Sequence, residues 1–562
     1  MASSYKITGD DDFFWHLATG RYIIENKTIP DKDVFGHTTE GSEWIPFEWG
    51  WDVVSFSLYN IGGYSAVMIF RSILIMIIFL IYFVLLKKFK VNTIISLLML
   101  TLLLASMMDR LSPRPHVFTY LFFTIILYIC LSFKYFDRDS NIKKLSFLPL
   151  IFLIWCNFHM GVLAGGLFLF IFVLSETIIF LKPKSLTTKE ILPLTKKHLI
   201  KLFMISVLCA LALLVNPHGL QTYLYAYSHT KLTLLNNVNE WQSPFTSKFD
   251  FGFIVTLYKV YLVLGIFVLA YAFKKRDLFF ALIFAAFAIY SVRAIRFTVD
   301  YEIILTFFIA MSISFFLKYF FKNKSVIFAF LNGNIAKVLL AAIFIFMIIQ
   351  MPNNNIYKSL QYYRYFGWGL NDEFLPVQLF DFMKENKITG KPYNHFGTGG
   401  YLIWNFPGEK NFIDSRNLND DIYNKYNAVM TMSNGFENIL NENGIDYVIY
   451  LDPDLTKRTD VLKKVIVKYL STNPNWKLVF WDDKSMLFVK DLPKFSELIN
   501  HYQYKVLQPY LALFSVAEYR TNVLNFPNAV KSELDRKMKT EPNGVLWKGL
   551  QEMTNNILKT IN

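Results

Sequence analysis

Ten long apolar segments, separated by short polar joints, constrain the fold of this chain more than any other feature. We place them at approximately 65–86, 91–108, 117–135, 145–158, 160–181, 199–215, 252–273, 277–292, 297–317 and 334–351. Segments close to 20 residues match the length that a helix needs to cross a bilayer. The hydrophobic content of 54% exceeds the average for soluble domains, which agrees with a membrane protein.

The polar joints between these segments are of two kinds. Every second joint is basic, namely 87–90, 134–144, 182–201, 274–276 and 318–324. The positive-inside rule assigns the basic joints to the cytoplasm, so the other joints and both chain ends face outward. Much of the net charge of +14 is therefore topological and does not indicate a nucleic-acid partner.

The outward joints carry the Asp, His, Arg and Asn residues that suggest function. They read "DRLSPRPHVF" (109–118), "WCNFHMG" (155–161), "VNPHGLQTY" (215–223), "NEWQSP" (239–244) and "SVRAIRF" (291–297). Since the opposite joints are mainly basic, this segregation predicts an extracytoplasmic active site or binding cavity.

From about Pro352 onward the composition becomes that of a soluble domain. Segments 392–407, 410–416 and 445–454 have the alternation and flanking turns of strands, whereas 372–386 and 495–562 have helical periodicity. We therefore predict an α-helical integral membrane protein of about ten spanning helices with a C-terminal soluble α/β domain. The predicted parts are an extracytoplasmic first loop with interfacial helices (1–64), a multispanning domain (65–351), an extracytoplasmic α/β domain (352–495) and a helical extension (496–562).

The stretch "GDDDFFWHLATG" (9–20) is the first candidate for catalysis. A carboxylate held at an aromatic-rich interface is partly desolvated, which raises its pKa and its basicity. Such a group can deprotonate an acceptor hydroxyl or, with its neighbours, bind a divalent ion. We assign catalytic roles to Asp12 and Asp10, supported by His16, which lies one helical turn from Asp12. The alternative is that these acids only cap a helix.

Glu48, within "WIPFEWGW", is a further catalytic candidate. This carboxylate lies among tryptophans that favour the interface between lipid and water. The alternative is an aromatic-belt residue of an interfacial helix.

Arginines on the outward joints suit a phosphate group. Arg114, Arg293 and Arg296 lie where apolar segments meet the outer surface, and arginines at membrane depth are costly and tend to be functional. Their planar guanidinium groups match phosphate oxygens, although snorkelling to lipid headgroups is an alternative. The remaining substrate-binding candidates lie on the same joints: His116, Asn157, His159, Asn216, His218 and Glu240.

Arginines and acids together at a membrane face suit a lipid-linked phosphate sugar, whose polyprenyl tail stays in the bilayer. The sequence contains no Walker or GxGxxG loop, so we expect no nucleotide cofactor. It contains no HExxH or CxxC pattern, and Cys130, Cys156 and Cys209 fall within apolar segments, so we expect no protein metal cage. A divalent cation at the acidic stretch stays an open alternative.

These motifs resemble a large bacterial and archaeal family of multispanning, glycosyltransferase-like membrane proteins related to the GT-C class of polyprenyl-phosphate-sugar-dependent enzymes. The family pattern runs D-x-D-x-W-W-H-L, G-x-x-I, I-P-x-x-D-x-F-S-x-T and W-x-x-H-E-W-L. Here it reads "DDDFFWHLATGRYI", "IPDKDVFGHT" and "WIPFEWGW", followed by "SPRPHVF", "WCNFHMG", "NPHGLQTY", "NEWQSP", "YNHFGTGGYLIW" and "FIDSR". The resemblance covers roughly residues 9–485, with Phe14 in place of a Trp and Phe47 in place of the His before Glu48.

The resemblance implies a glycosyltransferase of the plasma membrane that moves a hexosyl or pentosyl group. The sugar would pass from a polyprenyl-phosphate-linked donor to a glycan, lipid or protein acceptor outside the cytoplasm. Asp12 would be the base, with Asp10 as its partner, and outer arginines would hold the phosphate. The class also implies a spanning helix before the acidic loop. We expect that the start is shortened or that the chain inserts without that helix.

Three alternatives to this reading stay open. One is an O-antigen ligase or polymerase type of enzyme, and another is a non-catalytic membrane scaffold of glycan assembly. A transporter ranks last, because Arg71 is the one ionisable residue that we place mid-span and the sequence shows no inverted repeat.

Overall fold

A computed structural model describes residues 6–8, 11–186, 188, 192–248, 252–321, 333–359, 365–416 and 419–559. The chain forms two compact units. The helical unit contains the described residues within 1–7 and 45–369, and the α/β unit contains those within 8–44 and 370–562. The division differs from the predicted one, because residues 8–44, with helix α1 (Asp11–Asn26), join the α/β unit. The tail after residue 495 belongs to that unit as well.

Helices of the helical unit lie at all ten predicted apolar segments. The helices of this unit are α2 (Trp49–Lys88), α3 (Thr93–Ser106), α4 (His116–Tyr135), α5 (Arg138–Leu145), α6 (Leu148–Cys156), α7 (Val162–Leu181), α8 (Pro183–Leu186), α9 (Lys196–Ala212), α10 (Gln221–His229), α11 (Gly252–Lys275), α12 (Leu278–Ser291), α13 (Thr298–Phe321), α14 (Asn334–Gln350) and α15 (Asn355–Ser359).

Five helical stretches among the described residues are long and apolar enough to cross a membrane: Trp49–Lys88, His116–Tyr135, Val162–Leu181, Gly252–Lys275 and Ile295–Phe320. Three shorter apolar helices, Thr93–Ser106, Leu278–Ser291 and Asn334–Gln350, accompany them. The number of crossings stays a prediction. Helix α2 begins well before the predicted first span and is broken at Gly62 and Gly63, where Gly63 adopts a φ of 61° that suits glycine.

Several ionisable side chains are buried in the helical unit. Arg71 of α2 is 1% exposed, and Glu302 of α13 is fully buried. Glu176 of α7 forms an ion pair with Lys134 at the end of α4, and both side chains are buried. Arg71 is therefore not the single buried charge that the sequence suggested, because acids on α7 and α13 are also enclosed by neighbouring helices.

The α/β unit is built on a four-stranded sheet of order β1-β2-β4-β3. Its strands are β1 (Pro392–Asn394), β2 (Tyr447–Leu451), β3 (Trp476–Trp481) and β4 (Ser485–Lys490). Strand β1 pairs with β2 in parallel, and the other two pairs are antiparallel. The helices of this unit that follow α1 are α16 (Val377–Glu385), α17 (Gly399–Asn405), α18 (Asp420–Met430), α19 (Phe436–Glu442), α20 (Val467–Thr472), α21 (Ser496–Tyr502), α22 (Pro509–Phe514), α23 (Val516–Asn525), α24 (Pro527–Thr540) and α25 (Val545–Lys559).

The strand and helix predictions for this unit are partly confirmed. Segment 445–454 contains β2, and both 372–386 and the tail contain helices. The strand prediction for 392–407 holds only for β1 and is wrong for 399–405, which form α17. Segment 410–416 forms no strand, because it makes only an isolated bridge, from Asn411 to Gly36. The tail shares the core of the unit, as Trp547 of α25 lies in one buried cluster with Val448 of the sheet.

Candidate functional site

The predicted site residues fall in both units. Asp12 and His16 lie on α1 in the α/β unit, and Asp10 lies outside the described residues. The others belong to the helical unit: Glu48, Arg114, His116, Asn157, His159, Asn216, His218, Glu240, Arg293 and Arg296.

Several of the polar residues of the helical unit lie around a salt bridge between Arg110 and Glu240. Nη1 of Arg110 lies 2.5 Å from Oε2 of Glu240, and the two side chains are 15% and 32% exposed. Burial disfavours the charge on Glu240, but Arg110, Arg296 and Arg114 outweigh this effect and hold the pKa of the carboxyl well below its ordinary value. Glu240 is therefore an anion near neutral pH.

Arg296 joins this group from the loop that precedes α13. Its guanidinium lies 4.4 Å from the ring centre of Trp241. The backbone N–H of Ile295 donates to the carbonyl of Gln242 at 2.9 Å, which ties this loop to the loop that carries Glu240. Arg293, on the same loop as Arg296, is exposed.

Asp300, one helical turn after Arg296, is the second carboxylate near these arginines. It accepts a hydrogen bond from the hydroxyl of Tyr290 at 3.0 Å and interacts with the charges of Arg110 and Arg296. Arg110, Arg114 and Arg296, which we call the arginine cluster, thus all interact with the charge of Glu240, and Arg110 and Arg296 interact with that of Asp300 as well. Three guanidinium groups around one carboxylate favour the binding of a further anion.

A chain of hydrogen bonds orients His159, between α6 and α7. The indole N–H of Trp155 donates to the hydroxyl of Thr119 at 2.8 Å, and that hydroxyl lies 2.7 Å from Nδ1 of His159. The backbone N–H of Gly161 also donates to Nδ1, at 3.0 Å. Because Nδ1 accepts this backbone hydrogen bond, the hydrogen of the neutral ring must lie on Nε2.

Nε2 of His159 faces Glu48 at 3.6 Å from Oε1. Burial, together with the charges of Arg296 and Arg110, lowers the pKa of His159 to about 3, so the imidazole is neutral at neutral pH. The contact is therefore no ion pair, and it is too long for a direct hydrogen bond. The Glu48 side chain is only 14% exposed, so this carboxylate is more enclosed than its sequence suggested.

Two further candidates make contacts within the protein that position their segments. Nε2 of His116 donates to the carbonyl of Arg110, and its ring lies 6.3 Å from that of His159. Oδ1 of Asn157 accepts from the indole of Trp49 at 2.9 Å, which fixes the segment that carries Glu48.

Asn216 and His218 lie on the turn after α9. Oδ1 of Asn216 accepts from the hydroxyl of Thr222 at 2.7 Å and from the backbone N–H of His218 at 3.0 Å. Its Nδ2 donates to the carbonyl of Gly219 at 3.1 Å. These bonds close the turn locally, so they fit a structural role for Asn216.

Asp12, in the first turn of α1, is engaged within the α/β unit. Its Oδ1 accepts from the hydroxyl of Ser415, which in turn accepts from the indole N–H of Trp15 at 3.2 Å. The ring of His16 lies 3.7 Å from that of Trp15, centre to centre. Helix α1 begins at Asp11, so these acids lie at a helix start, as the capping alternative expects, and their catalytic roles stay a prediction.

The α/β unit also buries an arginine between two acids. Nη1 of Arg416 lies 2.7 Å from Oδ1 of Asp33, and its Nη2 lies 3.1 Å from Oδ2 of Asp414. Its guanidinium also lies 4.4 Å from the ring centre of Trp44. Burial opposes the charge on Asp33, yet Arg416 holds the pKa of that carboxyl below its ordinary value. The motifs "IPDKDVFGHT" and "FIDSR" therefore meet in a structural ion pair.

Arg110, Thr119 and Asp300 were not among the site residues predicted from the sequence. Asp300 follows Arg296 by four positions at the start of α13, and this spacing would have found it as a neighbour of Arg296. Arg110 and Arg114 are also four positions apart, but residues 111–114 are not helical, so this spacing carried no such signal. Thr119 had no such signal, because its partners depend on how α4 packs.

No group of three or more His, Cys, Asp or Glu residues able to hold a metal ion occurs in the part of the chain that the structure describes. That part excludes Asp10 and the side chain of Asp11, so the acidic stretch is not tested.

The fold is similar to that of oligosaccharyltransferases. The oligosaccharyltransferase of Archaeoglobus fulgidus in the apo form matches 81% of this chain and 67% of its own length, with a TM-score of 0.51 and 13% identity. The same enzyme tethered to an acceptor peptide containing the NVT sequon matches 87% of this chain and 70% of its own, with a TM-score of 0.50 and 12% identity.

A third solved structure is archaeal oligosaccharyltransferase AglB from Archaeoglobus fulgidus, in complex with an inhibitory peptide and a dolichol-phosphate. It matches 84% of this chain and 70% of its own, with a TM-score of 0.51 and 11% identity. The sequence matches no protein-family model and no curated protein. At these identities the likeness establishes a shared fold.

Proposed function

We propose that this chain is a membrane glycosyltransferase that uses a polyprenyl-phosphate-linked sugar donor. The observation that carries the proposal is the fold shared with oligosaccharyltransferases over more than 80% of the chain. One of those enzymes was solved with a dolichol-phosphate, a polyprenyl lipid that ends in a phosphate. The acceptor is a glycan, lipid or protein outside the cytoplasm, and the membrane is the plasma membrane.

The arginine cluster supplies the chemistry for the phosphate. When the acceptor attacks the anomeric carbon, the bond from that carbon to the phosphate oxygen breaks and negative charge develops on the phosphate. Arginines placed in advance stabilise such charge at little reorganisation cost. Each guanidinium group can donate two parallel hydrogen bonds to the oxygens of a phosphate. We therefore assign donor binding to the arginine cluster, in which Glu240 is the counter-ion of Arg110 until the phosphate binds.

A carboxylate must accept the proton of the acceptor, and two candidates exist. Asp12 is the base that the family resemblance implies. Glu48 is the base that the helical unit itself offers, because its carboxylate faces the N–H of the oriented His159. A divalent cation at the acidic stretch also stays a prediction, and chelation followed by restoration with Mg²⁺ or Mn²⁺ tests it.

The experiment reconstitutes the purified full chain in lipid, offers a panel of polyprenyl-phosphate sugars and measures release of the lipid phosphate. Donor binding is measured separately. We expect one of Asp12→Asn and Glu48→Gln to lose turnover while it still binds donor. The matched controls are Asp31→Asn and Glu25→Gln, which remove exposed carboxylates of the α/β unit.

The outcomes separate the proposal from its alternatives. Turnover that requires neither Asp12 nor Glu48 contradicts the assignment of the base. Donor binding without turnover by the wild type favours the non-catalytic scaffold. A wild type that binds no polyprenyl-phosphate sugar contradicts the donor class. The fold comparisons do not favour the O-antigen ligase alternative, which predicts transfer of a preassembled polymer.

A further inference from the structure

A groove on the surface of the helical unit is apolar except at one end. It has a volume of about 880 Å³ and is lined by Phe180 of α7 and by residues of α9. The lining residues of α9 are Lys196, Leu199, Ile200, Phe203, Met204, Val207 and Leu208. They recur at intervals of three and four, so they form one face of the helix.

The length of this groove matches one leaflet of a bilayer. From Lys196 to Leu208 a helix rises by about 18 Å, at about 1.5 Å per residue. The hydrocarbon core of a bilayer is about 30 Å thick, so one leaflet accounts for about half of it. A single acyl chain therefore fits along the apolar part of the groove.

The polar end of the groove is positively charged. Lys196 lines this end. Lys197 is the next residue of α9, and Lys182 follows shortly after Phe180. All three lysines are exposed. Of the described acids after α4 and on α7, Asp139 lies 3.0 Å from Nε2 of His198, Asp137 caps the start of α5, and Glu176 is paired with Lys134. The three exposed lysines at this end favour an anionic headgroup.

The polar end of the groove and the arginine cluster lie at opposite ends of the helical unit. Arg138, just after α4, donates to the carbonyls of Pro193 at 2.9 Å and Leu192 at 2.8 Å, which places the start of α9 beside the C-terminal end of α4. Arg110 and Arg114 precede the N-terminal end of α4. The 20 residues of α4 separate the two ends by about 30 Å. A phosphate at Lys196 is therefore not the donor phosphate at the arginine cluster.

We propose that this groove binds an anionic glycerophospholipid of the leaflet opposite the arginine cluster. Its phosphate lies at Lys196, and one acyl chain lies along Ile200, Met204 and Leu208. The proposal does not depend on the glycosyltransferase function.

The test measures which lipids the purified full chain retains from detergent micelles that contain equal amounts of phosphatidylglycerol and phosphatidylcholine with the same acyl chains. Native mass spectrometry counts the bound lipids. We expect the wild type to retain phosphatidylglycerol preferentially. Lys196→Glu should lower that retention at least about fivefold, as one lysine near an anionic headgroup contributes about that factor. Met204→Trp should lower the retention of both lipids, because the indole fills the groove.

Two substitutions on α14 serve as matched controls. Lys337→Glu reverses an exposed lysine, and Ile343→Trp enlarges a side chain that is 54% exposed, both outside the groove. Equal retention of the two lipids by the wild type, or equal losses in Lys196→Glu and Lys337→Glu, overturns the proposal. Displacement of phosphatidylglycerol by undecaprenyl phosphate also overturns it, because the groove would then hold the polyprenyl lipid.

Discussion

Both units of the chain enclose an arginine among carboxylates, but the two arginines differ in charge balance and exposure. Arg416 of the α/β unit lies between Asp33 and Asp414, and all three side chains are at most 2% exposed. Arg110 of the helical unit is paired with Glu240, whose side chain is 32% exposed.

The groups around the two arginines also differ. Two acids face Arg416, and Asp33 also accepts from the backbone N–H groups of Phe35 and Gly36. Arg114 and Arg296 add positive charge near Glu240. A closed, fully hydrogen-bonded pair stabilises a particular packing, whereas several arginines around a partly exposed carboxylate can bind an anionic ligand. The comparison therefore assigns a structural role to Arg416 and a binding role to the arginine cluster.

The largest expected effect is the loss of stability in Arg416→Ala. Removal of one partner leaves two carboxylates buried without their cation, which typically costs about 3–5 kcal/mol of the free energy of unfolding. Denaturant unfolding of the purified chain, followed by tryptophan fluorescence, measures it. Arg416→Lys keeps the charge but loses the planar geometry, so an intermediate loss is expected.

Lys425→Ala is the control for this prediction, because it removes the cation of an exposed ion pair in the same unit. The side chains of Lys425 and Asp421 lie 2.8 Å apart and are 44% and 69% exposed. Exposed pairs contribute about 0–1 kcal/mol, so a small change is expected. Equal losses in Arg416→Ala and Lys425→Ala would remove the distinction on which the comparison rests.

The second prediction concerns pH and His395 of the α/β unit. Burial lowers the pKa of His395 to about 4 from its ordinary 6.5, and its Nδ1 accepts from the backbone N–H of Gly397 at 3.1 Å. Between about pH 6.5 and 4 the unfolded chain binds a proton at this residue and the folded chain does not. The stability that the neutral ring contributes is therefore complete above pH 6.5 and is lost as the pH falls toward 4.

His395→Asn tests this pH dependence, because an Asn carbonyl accepts the same hydrogen bond and does not titrate. We expect the free energy of unfolding of the variant to fall less steeply between pH 6.5 and 4.5 than that of the wild type. Parallel curves for the two proteins would show that His395 takes up a proton as readily in the folded chain as in the unfolded chain.

The third prediction is that Arg296→Gln weakens ligand binding more than it lowers stability, whereas Arg416→Ala should mainly lower stability. Loss of a charge-assisted contact to phosphate costs about 1.5–3 kcal/mol, so binding of a polyprenyl phosphate should weaken about tenfold or more. The stacking of Arg296 on Trp241 contributes only about 0.5–1 kcal/mol at a partly exposed site. A binding titration and an unfolding curve of the same preparation measure both effects. A large loss of stability with unchanged binding would place Arg296 beside Arg416 as a structural residue.

The sequence predicted which segments are helical better than it predicted which charges meet. The ten apolar segments predicted α2, α3, α4, α6, α7, α9 and α11 to α14, because an apolar helix is recognised from each segment's own composition. Ion pairs are not local: Arg110 and Glu240 are 130 positions apart, and Arg416 and Asp33 are 383 apart. The sequence did predict that Arg114, Glu240 and Arg296 lie on the outward joints. Whether their side chains meet depends on how the loops fold.

The misread segments show the same limit. Residues 399–405 have the aromatic and β-branched composition of a strand, yet Arg21 of α1 donates to the carbonyls of Ile403 and Trp404, at 3.0 and 3.3 Å. These contacts come from a part of the chain almost 400 positions away, and they accompany the packing of α1 on α17. Tertiary packing thus overrides the local preference at this segment.

The smallest expected effect comes from Glu240→Gln, and its sign separates a binding cluster from a structural one. In the free protein Glu240 competes with an incoming phosphate for Arg110, so its neutralisation should tighten binding of a polyprenyl phosphate, by about threefold if the partly exposed pair contributes the usual amount of less than about 1 kcal/mol. The gain should diminish at high salt, because screening weakens accessible charges most. Glu409→Gln, in the α/β unit, controls for a general change in net charge. If Glu240→Gln weakens binding instead, Glu240 serves mainly to position Arg110, and the cluster then resembles the closed pair around Arg416.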